Sequence, residues 1–169
     1  DEAISLKLEK SILTLKTKGL QTAKFNRITN YCGHWVKFGG WYPDTKTRLV
    51  MKSKAEWTGI NPHDRLALKE DGKIVNLTGD LLHYSYYTKE DHFKQIDYFG
   101  KIASRELFDQ GKNISWVLLY VKVVNQFIKS FVIKTGFLDG KTGFLISVRS
   151  AYATFVKYRL LRKLNTENR

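Results

Sequence analysis

Cysteine is almost missing from this sequence. Among 169 residues only Cys32 is present, so an internal disulfide and a multi-cysteine metal site are both excluded. Proline is nearly as scarce, with two copies, and both fall in turn-rich stretches, at Pro43 and Pro62. No uncharged run approaches the ~20 residues of a membrane-spanning helix. Interfacial membrane contact is therefore expected rather than a full span. There is no internal repeat, no low-complexity tract and no signal-peptide pattern, since the opening DEAISLKLEK is charged and amphipathic. The abrupt acidic start, with no initiator Met, reads as a piece of a longer chain.

What is present is a chain able to bury one sizeable core. Hydrophobic residues make up 43% and aromatic residues 14%, which argues against disorder. The net charge is +13, and its placement is uneven. Gly111 to Arg169 holds eleven Lys/Arg against two acids, or +9, so the first 110 residues carry only +4. A basic last third faces an anionic partner, whether phospholipid, nucleic acid or a phosphorylated substrate, unless it is only a solvated face.

Apolar spacing predicts the elements. Ser5 is placed to cap a short helix through Leu13, although the Leu6/Leu8 alternation also allows a strand. Thr22 to Cys32 and Thr45 to Met51 read as strands, and Ala55 to Trp57 as a short partner strand. Asp71-Gly72 is a hairpin signal between Leu66–Lys69 and Lys73–Leu77. At Thr88-Lys89-Glu90-Asp91 the period changes: Thr caps a helix with acids in its first turn, and Gly111 closes it. Two further amphipathic segments, Ser115 to Lys134 and Phe144 to Leu164, are separated by GFLDGKTG. The class is α+β, a small mixed sheet followed by three amphipathic helices, with a boundary expected between residues 87 and 88.

Candidate chemistry is densest from Asn26 to Asp64. Gly39-Gly40 permits backbone shapes that let a ligand approach the main chain. Trp35, Trp41, Tyr42 and Trp57 offer ring faces for stacking, although core packing is the commoner use. Arg48 and Lys46 are candidates for phosphate oxygens. His63-Asp64 follows a turn-rich loop, and Asp64 is either a general base or a partner in a structural ion pair with Arg65. Asp1-Glu2 serve either a metal or a helix dipole. His83, followed by three tyrosines within four residues, is either a ligand or a satisfied structural group.

Taken together and in order, DEAIS, FNRITNYCGHWVKFGGWYPDTKTRLV, WTGINPHD, LLHYSYYTKEDHFKQIDYF and GFLDGKTGF resemble the C-terminal half of a family-two glycosyltransferase. The narrower resemblance is to the branch that includes the bacterial lipopolysaccharide-core glucosyltransferases. It covers nearly the whole chain and implies the C-terminal part of a GT-A-type fold. Residues 1–87 would then be the acceptor and metal side of the catalytic domain, and 88–169 a helical, membrane-peripheral region. Asp1-Glu2 match the end of an Asp-Ala-Asp-Glu motif that binds Mg²⁺ or Mn²⁺ and the donor diphosphate, with His83 as the late histidine near the metal. Gly39, Gly40 and Trp41 match the loop facing the sugars. Asp64, beside His63, matches the acceptor-activating base. Arg48 is the choice for phosphate contact, and Trp41 and Trp57 are the choices for sugar stacking.

The implied activity is inverting transfer, of glucose in the family-level expectation, from a uridine diphosphate sugar to a lipopolysaccharide-core or other lipid-linked glycan acceptor. The implied place is the inner face of the bacterial cytoplasmic membrane, held by anionic lipid, with no nucleic acid expected. One departure stands out: the nucleotide-binding half that precedes the aspartate motif is missing, so the 169 residues alone are expected to be inactive. The alternative is a non-catalytic basic module that binds membrane or nucleic acid.

Overall fold

The computed structural model describes residues 1–17, 19, 22–58, 65–69 and 73–167. Its class is α+β, a small sheet and a two-stranded hairpin with helices. The chain groups into two compact units, Asp1–Thr29 with Tyr42–Tyr84 and Asn30–Trp41 with Ser85–Arg169. This differs from a single cut between residues 87 and 88, because residues 30–41 belong with the helices.

The sheet strands are β1 (Glu2–Ile4), β2 (Ala23–Tyr31), β3 (His34–Val36), β4 (Asp44–Leu49) and β7 (Val75–Tyr86). Their order is β1-β7-β2-β3, and β4 also pairs with β2. In the first unit, α1 (Leu6–Thr17) follows β1 directly. Ser5 does cap it: its hydroxyl accepts the Leu8 N–H at 3.3 Å, with Glu9 in the first turn and Lys16 in the last, matching the helix dipole. Leu8 is fully buried with Phe25 and Leu81, and Ile12, Leu49 and Leu77 pack around them. The close contact needs a glycine. A Cβ at Gly79 on β7 would lie 2.3 Å from the Leu8 backbone nitrogen, and φ there is +100°.

β5 (Ala55–Thr58) and β6 (Arg65–Leu68) form the separate hairpin, in register from Ala55↔Leu68 to Thr58↔Arg65. The expected hairpin between Leu66–Lys69 and Lys73–Leu77 is thus corrected. Among the described residues β6 pairs with β5, whereas Val75 opens a 12-residue strand that pairs with β1. The Asp71-Gly72 signal itself lies outside the described residues. A turn dipeptide reports only the local bend, while strand partners are chosen by burial along the whole strand.

The second unit is helical. Thr88 caps α2 (Lys89–Asp109) through a capping box, accepting the Asp91 N–H at 3.2 Å while Asp91 accepts the Thr88 N–H at 2.9 Å. Ser115 caps α3 (Trp116–Ile128), which continues as a π-helical turn over Lys129–Ile133. A 3₁₀ turn at Gly136–Asp139 leads into α4 (Gly140–Glu167). Leu119 of α3 is fully buried with Ile114 and Leu161, flanked by Leu107, Phe108, Val123, Phe155 and Tyr158. By length and composition the 18 residues Trp116–Ile133 are apolar enough to cross a membrane, and 11% of them are buried. Lys122 and Lys129 interrupt the run, but two lysines do not remove the stretch from that class.

A second core cluster joins Tyr31, Val36 and Ile146 with Trp41 and Tyr86. His92 is buried beside it, its Nδ1 3.1 Å from the Tyr31 hydroxyl. Arg149, also buried, donates to that hydroxyl and to the Lys89 carbonyl at 2.8 Å, and its guanidinium lies 4.4 Å over the Phe93 ring. Burial, with the Arg149 charge adding to it, lowers the His92 pKa to about 4, and burial pushes Tyr86 up to about 12. In the unfolded chain His92 titrates near 6.5. Between these two values only the unfolded chain takes up the proton, so native stability falls as pH drops through that window. Thermal unfolding followed by circular dichroism from pH 7 to 4.5 is expected to show a falling Tm. His92→Gln, which keeps a polar partner for Tyr31 but cannot titrate, should flatten that slope.

Candidate functional site

In the first unit a polar cluster gathers on the sheet. Glu2 lies directly across from His83 in the antiparallel β1–β7 register, a placement that brings opposed side chains within about 5 Å at Cβ. Asp1 is held next to them by the backbone, its carbonyl accepting the Tyr84 N–H at 2.8 Å. The Glu2 carboxylate faces Arg27 at 3.7 Å and Arg48 at 3.5 Å. Arg27 is the cross-strand partner of Asp44, donating from Nε at 2.9 Å and lying 2.7 Å away through Nη2. Lys46 stands 3.5 Å from the other Asp44 oxygen. With Asp1 included, three cations stand against three carboxylates, and two of the cations are arginines, whose planar fork suits phosphate oxygens. Burial first, then the nearby Arg27 charge, holds His83 below its ordinary pKa, so its imidazole is neutral at pH 7.

The structure therefore brings together five of the residues singled out in the sequence: Asp1, Glu2, Lys46, Arg48 and His83. Among the described residues, no three His, Cys, Asp or Glu come together in a way that could hold a metal ion. The Glu2 carboxylate is turned to two guanidinium groups. On their own the described residues do not fit a divalent cation. Trp57, on β5, is 68% exposed, which leaves its ring faces open. His63 and Asp64 lie outside the described residues.

The glycine loop belongs to the second unit. Gly39 and Gly40 have φ of +68° and +82°, the left-handed region that favours glycine. Gly39 donates its N–H to the Lys134 carbonyl at 2.9 Å, and a Cβ at Gly40 would meet the Lys134 side chain at 2.4 Å. The loop is fixed from below by Asp139. This buried carboxylate accepts the Lys37 N–H at 3.1 Å and the Phe38 N–H at 2.8 Å, and contacts His34 Nε2 at 3.1 Å. Trp41 is half-buried and packs against Tyr31, Tyr86 and His92 at centroid distances of 5.9–6.1 Å. Its ring serves the aromatic core.

Sequence reading misses Arg27, Asp44, Asp139 and Arg149. Asp44 reads as a turn residue, and only the pairing of β4 with β2 reveals Arg27 opposite it. Asp139 stands between two glycines in a segment that reads as a helix breaker. Arg149 lies in an apolar helix stretch, where an isolated arginine is the one available signal.

Against known proteins, the chain is 31% identical over 129 residues to an uncharacterized glycosyltransferase of Rickettsia prowazekii (strain Madrid E), covering 72% of the chain and 44% of that protein. The relative in Rickettsia typhi (strain ATCC VR-144 / Wilmington), also named an uncharacterized glycosyltransferase, gives the same values. This chain is similar to glycosyltransferases. The likeness extends to a third such protein, from Rickettsia conorii (strain ATCC VR-613 / Malish 7), 28% identical over 130 residues. The chain spans about half the length of the curated relatives it matches. No family model matches it, and no solved structure does.

Removing the Asp139 acceptor leaves two backbone donors and an imidazole without their partner. Asp139→Ala should cost on the order of 3 kcal/mol, read by urea denaturation. Asp139→Asn, which keeps one acceptor oxygen, should cost less.

Proposed function

We propose that this chain is the C-terminal part of an inverting glycosyltransferase of family two, one that moves a sugar from a nucleotide-diphosphate donor to a lipid-linked glycan acceptor. The observation that carries the reading is the similarity to three proteins named glycosyltransferases, which runs over nearly three quarters of the chain. That likeness supports glycosyl transfer in general. The finer assignments, a uridine diphosphate donor, glucose and a lipopolysaccharide-core acceptor, rest on the motif resemblance.

The polar cluster of the first unit supports a role at the donor phosphates. Arg27, Arg48 and Lys46 would supply cationic hydrogen-bond donors where a departing diphosphate accumulates negative charge. Neutral His83 adds a hydrogen-bonding group beside Glu2. Asp64 is assigned the proton of the acceptor hydroxyl as that oxygen attacks the anomeric carbon. Trp57 is assigned a stacking face for a sugar ring. The resemblance also implies Mg²⁺ or Mn²⁺, with Asp1, Glu2 and His83 as the contribution of this chain, and such an ion would need ligands beyond the described residues. The working place of the protein is the cytoplasmic face of the membrane, against anionic lipid.

A screen of nucleotide sugars with the full-length protein, with Mg²⁺ or Mn²⁺ and a lipid-linked acceptor, tests this by released nucleoside diphosphate. Release from one donor is expected, and Asp64→Asn should lower it at least ~100-fold while donor binding persists. Near-normal turnover in that variant would remove Asp64 from the role. No release from any donor would sink the enzyme reading.

A further inference from the structure

The least expected feature of the helical unit is the outward side of α3. Leu119 points inward and is fully buried, yet Val117, Val121, Val124, Ile128 and Val132 are all exposed, Val117 at 75%. Their spacing of four, three, four and four residues keeps them on one helical stripe. The apolar surface widens to a second helix. Phe127 and Phe131 contact Phe144 of α4 at 6.0 and 5.7 Å, and Phe144, Val148 and Tyr152 are themselves exposed at successive turns. An open patch two helices wide exceeds what a water-facing surface ordinarily carries.

The charges around the patch choose its occupant. Lys129 flanks the stripe, Lys112 precedes α3, and Lys134 and Lys141 lie between α3 and the first turn of α4, all four exposed. Among the described residues from 111 to 167 the acids are Asp139, which is buried, and Glu167, which lies at the end of α4. An apolar face rimmed by lysines complements hydrocarbon rimmed by anionic headgroups. The underside of α3 packs on α4 through Leu119 and Leu161, and α4 carries Lys141, Arg149, Lys157, Arg159, Arg162 and Lys163 along its length. A helix crossing the bilayer would draw that charged partner in with it, whereas a helix lying in the surface would not.

We propose that α3, its π-helical extension and the neighbouring face of α4 embed side-on in one leaflet of an anionic bilayer. Val117, Val121, Val124, Ile128 and Val132 enter the acyl boundary, and the flanking lysines meet headgroup phosphates. This rests on the membrane-peripheral reading above and specifies the surface and the depth.

The test uses the full-length protein and vesicles of phosphatidylcholine with or without 30% phosphatidylglycerol (about that fraction suffices to charge the surface). Wild type is expected to float with anionic vesicles. Val121→Asp with Ile128→Asp should weaken partitioning at least ~10-fold with an unchanged circular dichroism spectrum, because both sites are exposed. Lys129→Glu with Lys141→Glu should reduce the preference for the anionic vesicles. In a Cys32→Ser background, environment-sensitive probes on cysteines placed at 117, 124 and 132 should report equal, shallow depth. A deep probe at 124 between two shallow ones would overturn the side-on geometry in favour of a span. Undiminished flotation of the Asp variant would overturn this surface while leaving membrane attachment standing. No flotation of wild type would overturn both, as would a self-associated wild type that the Asp variant converts to monomer. Donor turnover is measured separately, so its failure would leave the docking result intact.

Discussion

The arrangement of the helical unit depends on one buried carboxylate. Asp139 is almost fully removed from water, a position that costs a carboxylate several kcal/mol unless its oxygens are hydrogen-bonded. Here they are: two consecutive backbone N–H groups, from Lys37 and Phe38, and the His34 ring converge on them. The loop carrying Gly39 and Gly40 is thereby fastened to the corner that joins the π-helical turn to α4. The same corner is tightened by Ser147, whose hydroxyl donates to the Gly143 carbonyl at 2.8 Å and lies 3.1 Å from the Ser130 hydroxyl. A glycine loop anchored in this way is a fixed surface rather than a flap. Whatever it faces meets a backbone already in place, without an ordering cost at the moment of binding.

The two units treat polar burial differently. The first unit collects its charges on a partly exposed sheet surface, where Glu2, Arg27, Asp44 and Arg48 stay 22–36% accessible. Pairs at such exposure contribute little to stability, so the cluster does little to hold the fold together. The second unit buries two charges outright, those of Asp139 and Arg149. Arg149 is packed between Tyr31 and Phe93, and His92 is kept neutral beside it. A buried cation of that kind depends on every contact it makes, which ties β2, α2 and α4 together at a single side chain.

Local signals are legible in the sequence and partnerships are not. Ser5 and Thr88 mark helix starts because a capping hydroxyl acts within three residues. Gly39 and Gly40 announce a left-handed backbone because other residues rarely adopt it. The α+β class follows from the change of apolar period near residue 88. In contrast, Arg27 opposite Asp44, Glu2 opposite His83 and Asp139 beneath Lys37 join residues 17, 81 and 102 positions apart. No periodicity encodes contacts of that separation. Asp1, Glu2, Arg48 and His83 come together in the sequence reading only because a family resemblance orders them. Trp41 shows a contact that its composition cue does not report: its ring packs against Tyr31 and Tyr86.

The same distinction changes how the basic last third should be understood. A formal excess of nine charges implies a strongly electrostatic surface, but several of those cations are committed internally. Arg149 is buried. Arg162 donates to the Ile114 carbonyl and lies over Trp116, and Lys122 and Lys157 sit over the Tyr158 ring. The charge available to an anionic surface is carried mainly by Lys112, Lys129, Lys134, Lys141, Arg159 and Lys163, each exposed. At about 1 kcal/mol per basic group near an anionic membrane, such a set assists attachment without dominating it. Burial of apolar side chains at roughly 25 cal/mol per Å² contributes more, and salt does not screen that contribution. Attachment of this unit should therefore follow the apolar stripe of α3 first and the charge count second, the reverse of what the sequence alone implies.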